Sequence, residues 1–100
     1  MRQIQAYADE VARRFQLEKI ILFGSHARGR PAPDSDVDLL VVMPHVKRAP
    51  YEAAKIRTEV RAPFSLDLLV RSPEELRRRL ELGDCFMREI VEQGRVLHEA

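Results

Sequence analysis

Phe23-Gly24-Ser25-His26-Ala27-Arg28-Gly29-Arg30, followed by Pro31-Ala32-Pro33-Asp34-Ser35 and then Asp36-Val37-Asp38-Leu39-Leu40-Val41-Val42-Met43, is the stretch on which the reading of this chain turns. Lys19-Ile20-Ile21-Leu22-Phe23 leads into it as a short apolar run that stops at Gly24, which suits a buried strand. Residues 24–35 carry two Gly and two Pro and read as a turn with one helical turn, then a loop. Residues 36–43 read as a second strand, ended by Pro44. Asp36 and Asp38 stand two apart, so on a strand they project from one face while Val37 and Leu39 project from the other. Burying an ionised carboxylate without a partner costs roughly several kcal/mol, so acidic residues inside an apolar strand call for a chemical reason.

Working outward, Ile4, Ala8, Val11 and Phe15 recur at helical spacing and predict an amphipathic helix over residues 2–15. Pro50 suits the first turn of a helix running to about residue 61, and Pro63 closes that region. Phe64 to Val70 is a third apolar strand, interrupted by the single charge of Asp67. Ser72-Pro73-Glu74-Glu75 predicts a helix start, with Ser72 as N-cap, Pro73 at the first position and Glu75 closing a capping box. Leu76 and Leu80 share a face of that helix, Arg77, Arg78 and Arg79 form its wet side, and Gly83 ends it. A further helix runs from Asp84 or Cys85 to Gln93 with Phe86 and Ile90 on one side, and Arg95 to His98 reads as a last strand. Alternating helices and strands indicate an α/β or α+β fold, and 100 residues predict one domain over 1–100.

The carboxylates and the glycine turn define one chemistry together. If the second and third strands are neighbours, Asp36, Asp38 and Asp67 converge, and three like charges so close repel and raise one another's pKa. A divalent cation removes the conflict, and all-oxygen ligation suits Mg²⁺ or Mn²⁺ held jointly with substrate phosphates. Gly24 has no side chain to obstruct a phosphate approaching the backbone, and a helical turn starting there aims free N–H groups at it. Ser25 adds a hydroxyl. Arg28 reads either as a phosphate clamp or as half of a loop salt bridge, as does Arg30. Cradle and carboxylates together describe phosphoryl transfer from a nucleoside triphosphate.

The remaining signals are bland. His26 reads as exposed or helix-capping, and His45 and His98 have no partner signal. Cys85 reads as a buried structural thiol, and as the only cysteine it excludes an internal disulfide. A Walker-type Gly-x-x-x-x-Gly-Lys is absent. The formal net charge of +1 argues against sequence-independent nucleic-acid binding, and 45% hydrophobic residues argue against disorder. With neither a leader-like segment nor a membrane-length apolar run in view, a cytoplasmic protein is the expectation.

Gly24-Ser25, ten residues, then Asp36-Val37-Asp38 resembles the signature of the polymerase-beta-like nucleotidyltransferases. The flanking residues 23–30 and 35–41 are similar to its smallest members, the minimal nucleotidyltransferases of antitoxin type. The resemblance implies a small mixed sheet flanked by helices, a palm-like fold. It implies that Gly24 and Ser25 hold the triphosphate, that Asp36 and Asp38 bind two Mg²⁺, and that Asp67 completes the metal site and helps deprotonate the acceptor. It further implies AMP transfer from ATP to a hydroxyl, commonly a tyrosine of a HEPN-domain toxin. His26 departs from the Arg or aromatic residue often seen there. A domain of this size has little left to enclose a small acceptor, so recognition is expected from another chain or another copy of this one. A small-molecule nucleotidyltransferase and an antitoxin acting by binding alone are the competing readings.

Overall fold

The computed structural model describes residues 1–32 and 34–100, so Pro33, read above as part of the loop, lies outside the described residues. Four helices and four strands follow the order α1 (Arg2–Arg14), β1 (Lys19–Phe23), β2 (Val37–Val42), α2 (Ala49–Glu59), β3 (Leu66–Arg71), α3 (Pro73–Glu81), α4 (Cys85–Gln93) and β4 (Arg95–Glu99). The strands form one mixed sheet in the order β3-β2-β1-β4. β1 runs antiparallel to both β2 and β4, whereas β2 and β3 are parallel, joined by the crossover through α2. The expected mixed sheet flanked by helices is the observed architecture.

Alternation along the strands divides the apolar residues between two layers. Leu22, Val37, Leu39, Val41, Leu68 and Val70 meet Ile4, Tyr7, Ala8 and Val11 of α1 and Ile56 of α2. Ile21, Phe23, Leu40 and Val42 face the other way and meet Met87 and Ile90 of α4, with Leu76 and Leu80 of α3 packed at the margin. Asp38 belongs by this alternation to the second, thinner layer, as does Asp67, and that layer leaves both within reach of solvent. The Tyr7 hydroxyl is satisfied inside the thicker layer by donating to the Val60 carbonyl at 2.9 Å.

The helix boundaries follow their caps. Ser72 Oγ accepts from the Glu75 amide at 3.1 Å, as its position predicts. The reciprocal half of the expected capping box is absent, because the Glu75 carboxylate turns to Arg79 at 3.1 Å and Arg78 at 3.7 Å instead. β2 begins at Val37 rather than Asp36, and β3 at Leu66 rather than Phe64. The Val37 amide donates to the Ser65 carbonyl at 2.8 Å, so pairing starts there and leaves Asp36 ahead of the ladder. No helix among the described residues is long and apolar enough to cross a membrane.

Ile56 is fully buried and is the one buried residue of α2. Ile56→Ala is therefore expected to lower the unfolding free energy by about 2–5 kcal/mol, measured by urea denaturation. Arg77→Ala on the exposed side of α3 is expected to change it by no more than about 0.5 kcal/mol.

Candidate active site

Register brings the acidic residues together. In the parallel ladder Asp38 is the partner of Asp67, and in the antiparallel one it is the partner of Phe23, immediately before Gly24. The site thus sits where β1 ends and where β2 and β3 begin. Gly24 has a φ of +76°, and a Cβ placed there would lie 2.2 Å from Asp38 Oδ2. Only glycine allows both the left-handed turn and the carboxylate beside it.

The segment after Gly24 is a hydrogen-bonded turn rather than a regular helix. The Ala27 and Arg28 amides both donate to the Gly24 carbonyl, at 3.1 and 3.3 Å, and the Arg30 amide donates to Ser25 at 3.2 Å. The Ser25 and His26 amides, at the mouth of the turn, have no acceptor among the described residues. His26 is half-buried rather than exposed, and its Nε2 lies 3.3 Å from the Ser35 carbonyl oxygen. A carbonyl can only accept, so this contact selects the tautomer with a proton on Nε2 and ties the two ends of the loop together.

The carboxylates differ in environment. Burial pushes the Asp38 carboxyl above its ordinary value of 3.8, the charges of Asp67 and Asp36 and a hydrogen bond to Asp67 push it further, and His26 offsets part of the rise. Asp36 is exposed, and its Oδ1 accepts from Ser65 Oγ. Among the described residues, no three His, Cys, Asp or Glu side chains stand close enough together to enclose an ion. The expected three-carboxylate convergence is thus observed as a crowded Asp38–Asp67 pair with Asp36 turned aside to Ser65. Such a pair still fits a hard cation of the Mg²⁺ kind, which takes one or two carboxylates and completes its shell with water and substrate phosphates.

A cavity of about 290 Å³ opens over the pair, walled by Phe23, Gly24 and Ala27 on one side and by α4 on the other. Arg28 crosses its mouth to Glu89 at 3.0 Å, both side chains being more than half exposed. Of the two readings of Arg28, the salt bridge is the one present, though its partner comes from α4 and not from the loop. Four residues of α4, Phe86, Glu89, Ile90 and Gln93, line this cavity and were not singled out as site residues by sequence reasoning. Their spacing along one side of a helix was the available signal, and it reads equally well as a core stripe. Cys85 is exposed at the start of α4, not buried as expected, because the apolar side of that helix is carried by Met87 and Ile90.

The chain belongs to the nucleotidyltransferase domain family, which matches residues 4–98, and it is accordingly a transferase. A protein of Methanocaldococcus jannaschii named "Putative protein adenylyltransferase" is 31% identical over 88 residues, spanning 85% of this chain and 82% of that protein. The crystal structure of "a putative nucleotidyltransferase from Sulfolobus solfataricus" superposes with a TM-score of 0.68 at 23% identity, covering 98% of this chain and 78% of the other. A toxin–antitoxin crystal structure with AMP-PNP superposes with a TM-score of 0.64 at 22% identity, covering 96% of this chain and 73% of that one. At these identities the two structures establish a common fold.

Two outcomes follow from the geometry. Gly24→Ala forces a side chain into a left-handed turn against Asp38 and is expected to cost about 1–3 kcal/mol in urea denaturation, part of it recovered in the Gly24→Ala/Asp38→Ala double variant. Because the folded state raises the Asp38 pKa, the folded chain binds more protons than the unfolded one just above pH 3.8, and stability falls as pH rises through that window. Asp38→Asn is therefore expected to raise Tm at pH 7 in the presence of EDTA, and the gain is expected to vanish below the ordinary carboxylate range.

Proposed function

We propose that this chain transfers AMP from ATP to a hydroxyl of a partner protein, as an antitoxin that adenylylates a HEPN-type toxin. The observation that carries the reading is the Asp38–Asp67 pair, held in register beside the Gly24 turn. It is supported by the relative named as a protein adenylyltransferase and by the likeness of fold to a toxin–antitoxin structure with AMP-PNP.

In this reading the unpaired Ser25 and His26 amides, with the Ser25 hydroxyl, receive the β- and γ-phosphates, the freedom of Gly24 letting them approach. Asp36, Asp38 and Asp67 would hold Mg²⁺, two ions in the full arrangement, with Mn²⁺ a chemically equivalent occupant, and Asp36 exchanges Ser65 for this role. Bound there, the metal supplies charge neutralisation on the phosphates. Asp67 is exposed at the edge of the cleft, where it accepts the proton of the incoming hydroxyl. The hydroxyl oxygen forms a bond to the α-phosphorus, the bond from that phosphorus to the bridging oxygen breaks, and pyrophosphate leaves with its electron pair. Arg28 swings from Glu89 to the phosphates when they bind. The whole of residues 1–100 serves as one catalytic domain, acting in the cytoplasm, and the acceptor hydroxyl is delivered by the partner.

Incubation with α-labelled ATP, Mg²⁺ and the protein encoded by the neighbouring gene is expected to yield a labelled partner. Asp36→Ala and Asp38→Ala are each expected to reduce the labelling rate at least about a hundredfold. Absence of labelling by the native chain, or full toxin neutralisation by the Asp36→Ala/Asp38→Ala/Asp67→Ala variant, refutes the reading, the latter in favour of inhibition by binding alone.

A further inference from the structure

The cavity over the carboxylates has a wall that phosphoryl transfer itself does not require. Phe86, Glu89 and Gln93 recur at intervals of three and four along α4, so they line one side of that helix, and all three border the cavity. Phe86 leaves 50% of its surface exposed, while Phe23, which it meets edge-on with ring centroids 5.8 Å apart and planes at 83°, is 9% exposed. The pair therefore anchors one aromatic ring in the core and leaves the other half-exposed at the cleft, where a covering ligand would remove further apolar surface from water. Nearby, Gly94 has no room for a side chain, since a Cβ there would meet the Ile90 carbonyl at 2.4 Å and Ile21 Cγ2 at 2.5 Å. That close approach seats the end of α4 directly on β1, so the stripe is held at a set distance from the glycine turn.

Polar groups accompany the ring. Glu89 Oε1 is held by Arg28 here and is released when Arg28 moves to the phosphates, so Glu89 presents an acceptor to the ligand, and the Gln93 amide, with no hydrogen-bond partner among the described residues, offers both a donor and an acceptor. A flat ligand lying on Phe86 with hydrogen-bonding groups at its rim, joined to a polyphosphate that ends at Gly24, satisfies all of these at once.

We propose that Phe86 is the stacking platform for the nucleobase of the triphosphate, with Gln93 and Glu89 reading the exocyclic amine and adjacent ring nitrogen of adenine. The inference rests on the nucleotide-transfer reading above and adds to it the residues that select the base. Glutamine matches adenine with one donor and one acceptor, whereas uracil presents a carbonyl to the Glu89 carboxylate and is disfavoured.

The test measures equilibrium binding, with Mg²⁺ and without any acceptor protein, of ATP, UTP and tripolyphosphate, the last carrying the phosphates and no base. Phe86→Ala is expected to weaken ATP about tenfold or more while tripolyphosphate changes by less than about twofold. Glu89→Gln, whose amide can donate to a carbonyl, is expected to narrow the preference for ATP over UTP. The chain has no tryptophan, so Phe86→Trp introduces a single indole, whose emission ATP is expected to quench and tripolyphosphate is not. ATP affinity unchanged in Phe86→Ala overturns the inference while leaving nucleotide transfer intact. ATP and tripolyphosphate weakening together also overturns it, since the residue then acts on the fold. A native chain that binds neither ligand overturns both this inference and the function it rests on.

Discussion

Everything at the functional end of this protein depends on the confinement of the Asp38 carboxylate. It projects from an apolar strand, faces Asp67 across the parallel ladder, and lies against a turn that admits no side chain. Each neighbour raises the cost of its charge, and nothing in the apolar layer beneath repays it. Such an arrangement is tolerable in a marginally stable fold because the instability is local, and in the proposed function a cation–polyphosphate complex would convert the repulsion into binding. The site is thus a place where the protein is built against its own stability, as functional sites commonly are.

The sheet accommodates this through unequal layers. The face covered by α1 and α2 holds the larger apolar cluster and carries most of the packing. The opposite face is covered by α3 and α4, whose apolar contacts are fewer, and α3 has no buried residue at all. The cavity between the end of β1, the Asp38–Asp67 pair and α4 lies on this thinner side. Strength on one side permits openness on the other.

What the sequence made legible follows from the same distinction. Strand alternation, the breaks at glycine and proline, and the serine cap are local, and they placed every helix and strand to within a few residues. The conjunction of Gly24-Ser25 with Asp36-Val37-Asp38 and Asp67 pointed to the candidate site because a charge inside an apolar strand costs too much to be kept without a chemical role, and the ladder does bring Gly24, Asp38 and Asp67 together. Features decided by packing between distant segments were not legible. Arg28 meets Glu89 only because α4 lies over the glycine turn, 61 residues later. Phe86 shares helical spacing with the buried Ile90, yet the two part company where the helix reaches the rim of the sheet. Cys85 likewise lies off the side of α4 that Met87 and Ile90 bury. Asp36 shows the finer limit, since the parity of the strand was right and the point at which pairing begins was not.

The pairing of β1 with β4 has a consequence for how the molecule comes into being. Residues 19–22 pair with residues 95–99, so one outer seam of the sheet closes between segments far apart in the chain. On the ribosome, the hairpin of β1 and β2 can form early, but the helix that walls the cavity and the strand that secures it emerge well after it. Such long-range closure slows folding and leaves β1 with a bare edge during synthesis. The cavity accordingly takes shape only after β4 has closed on β1, and a nascent chain carries its acidic pair before it has the wall that completes the pocket.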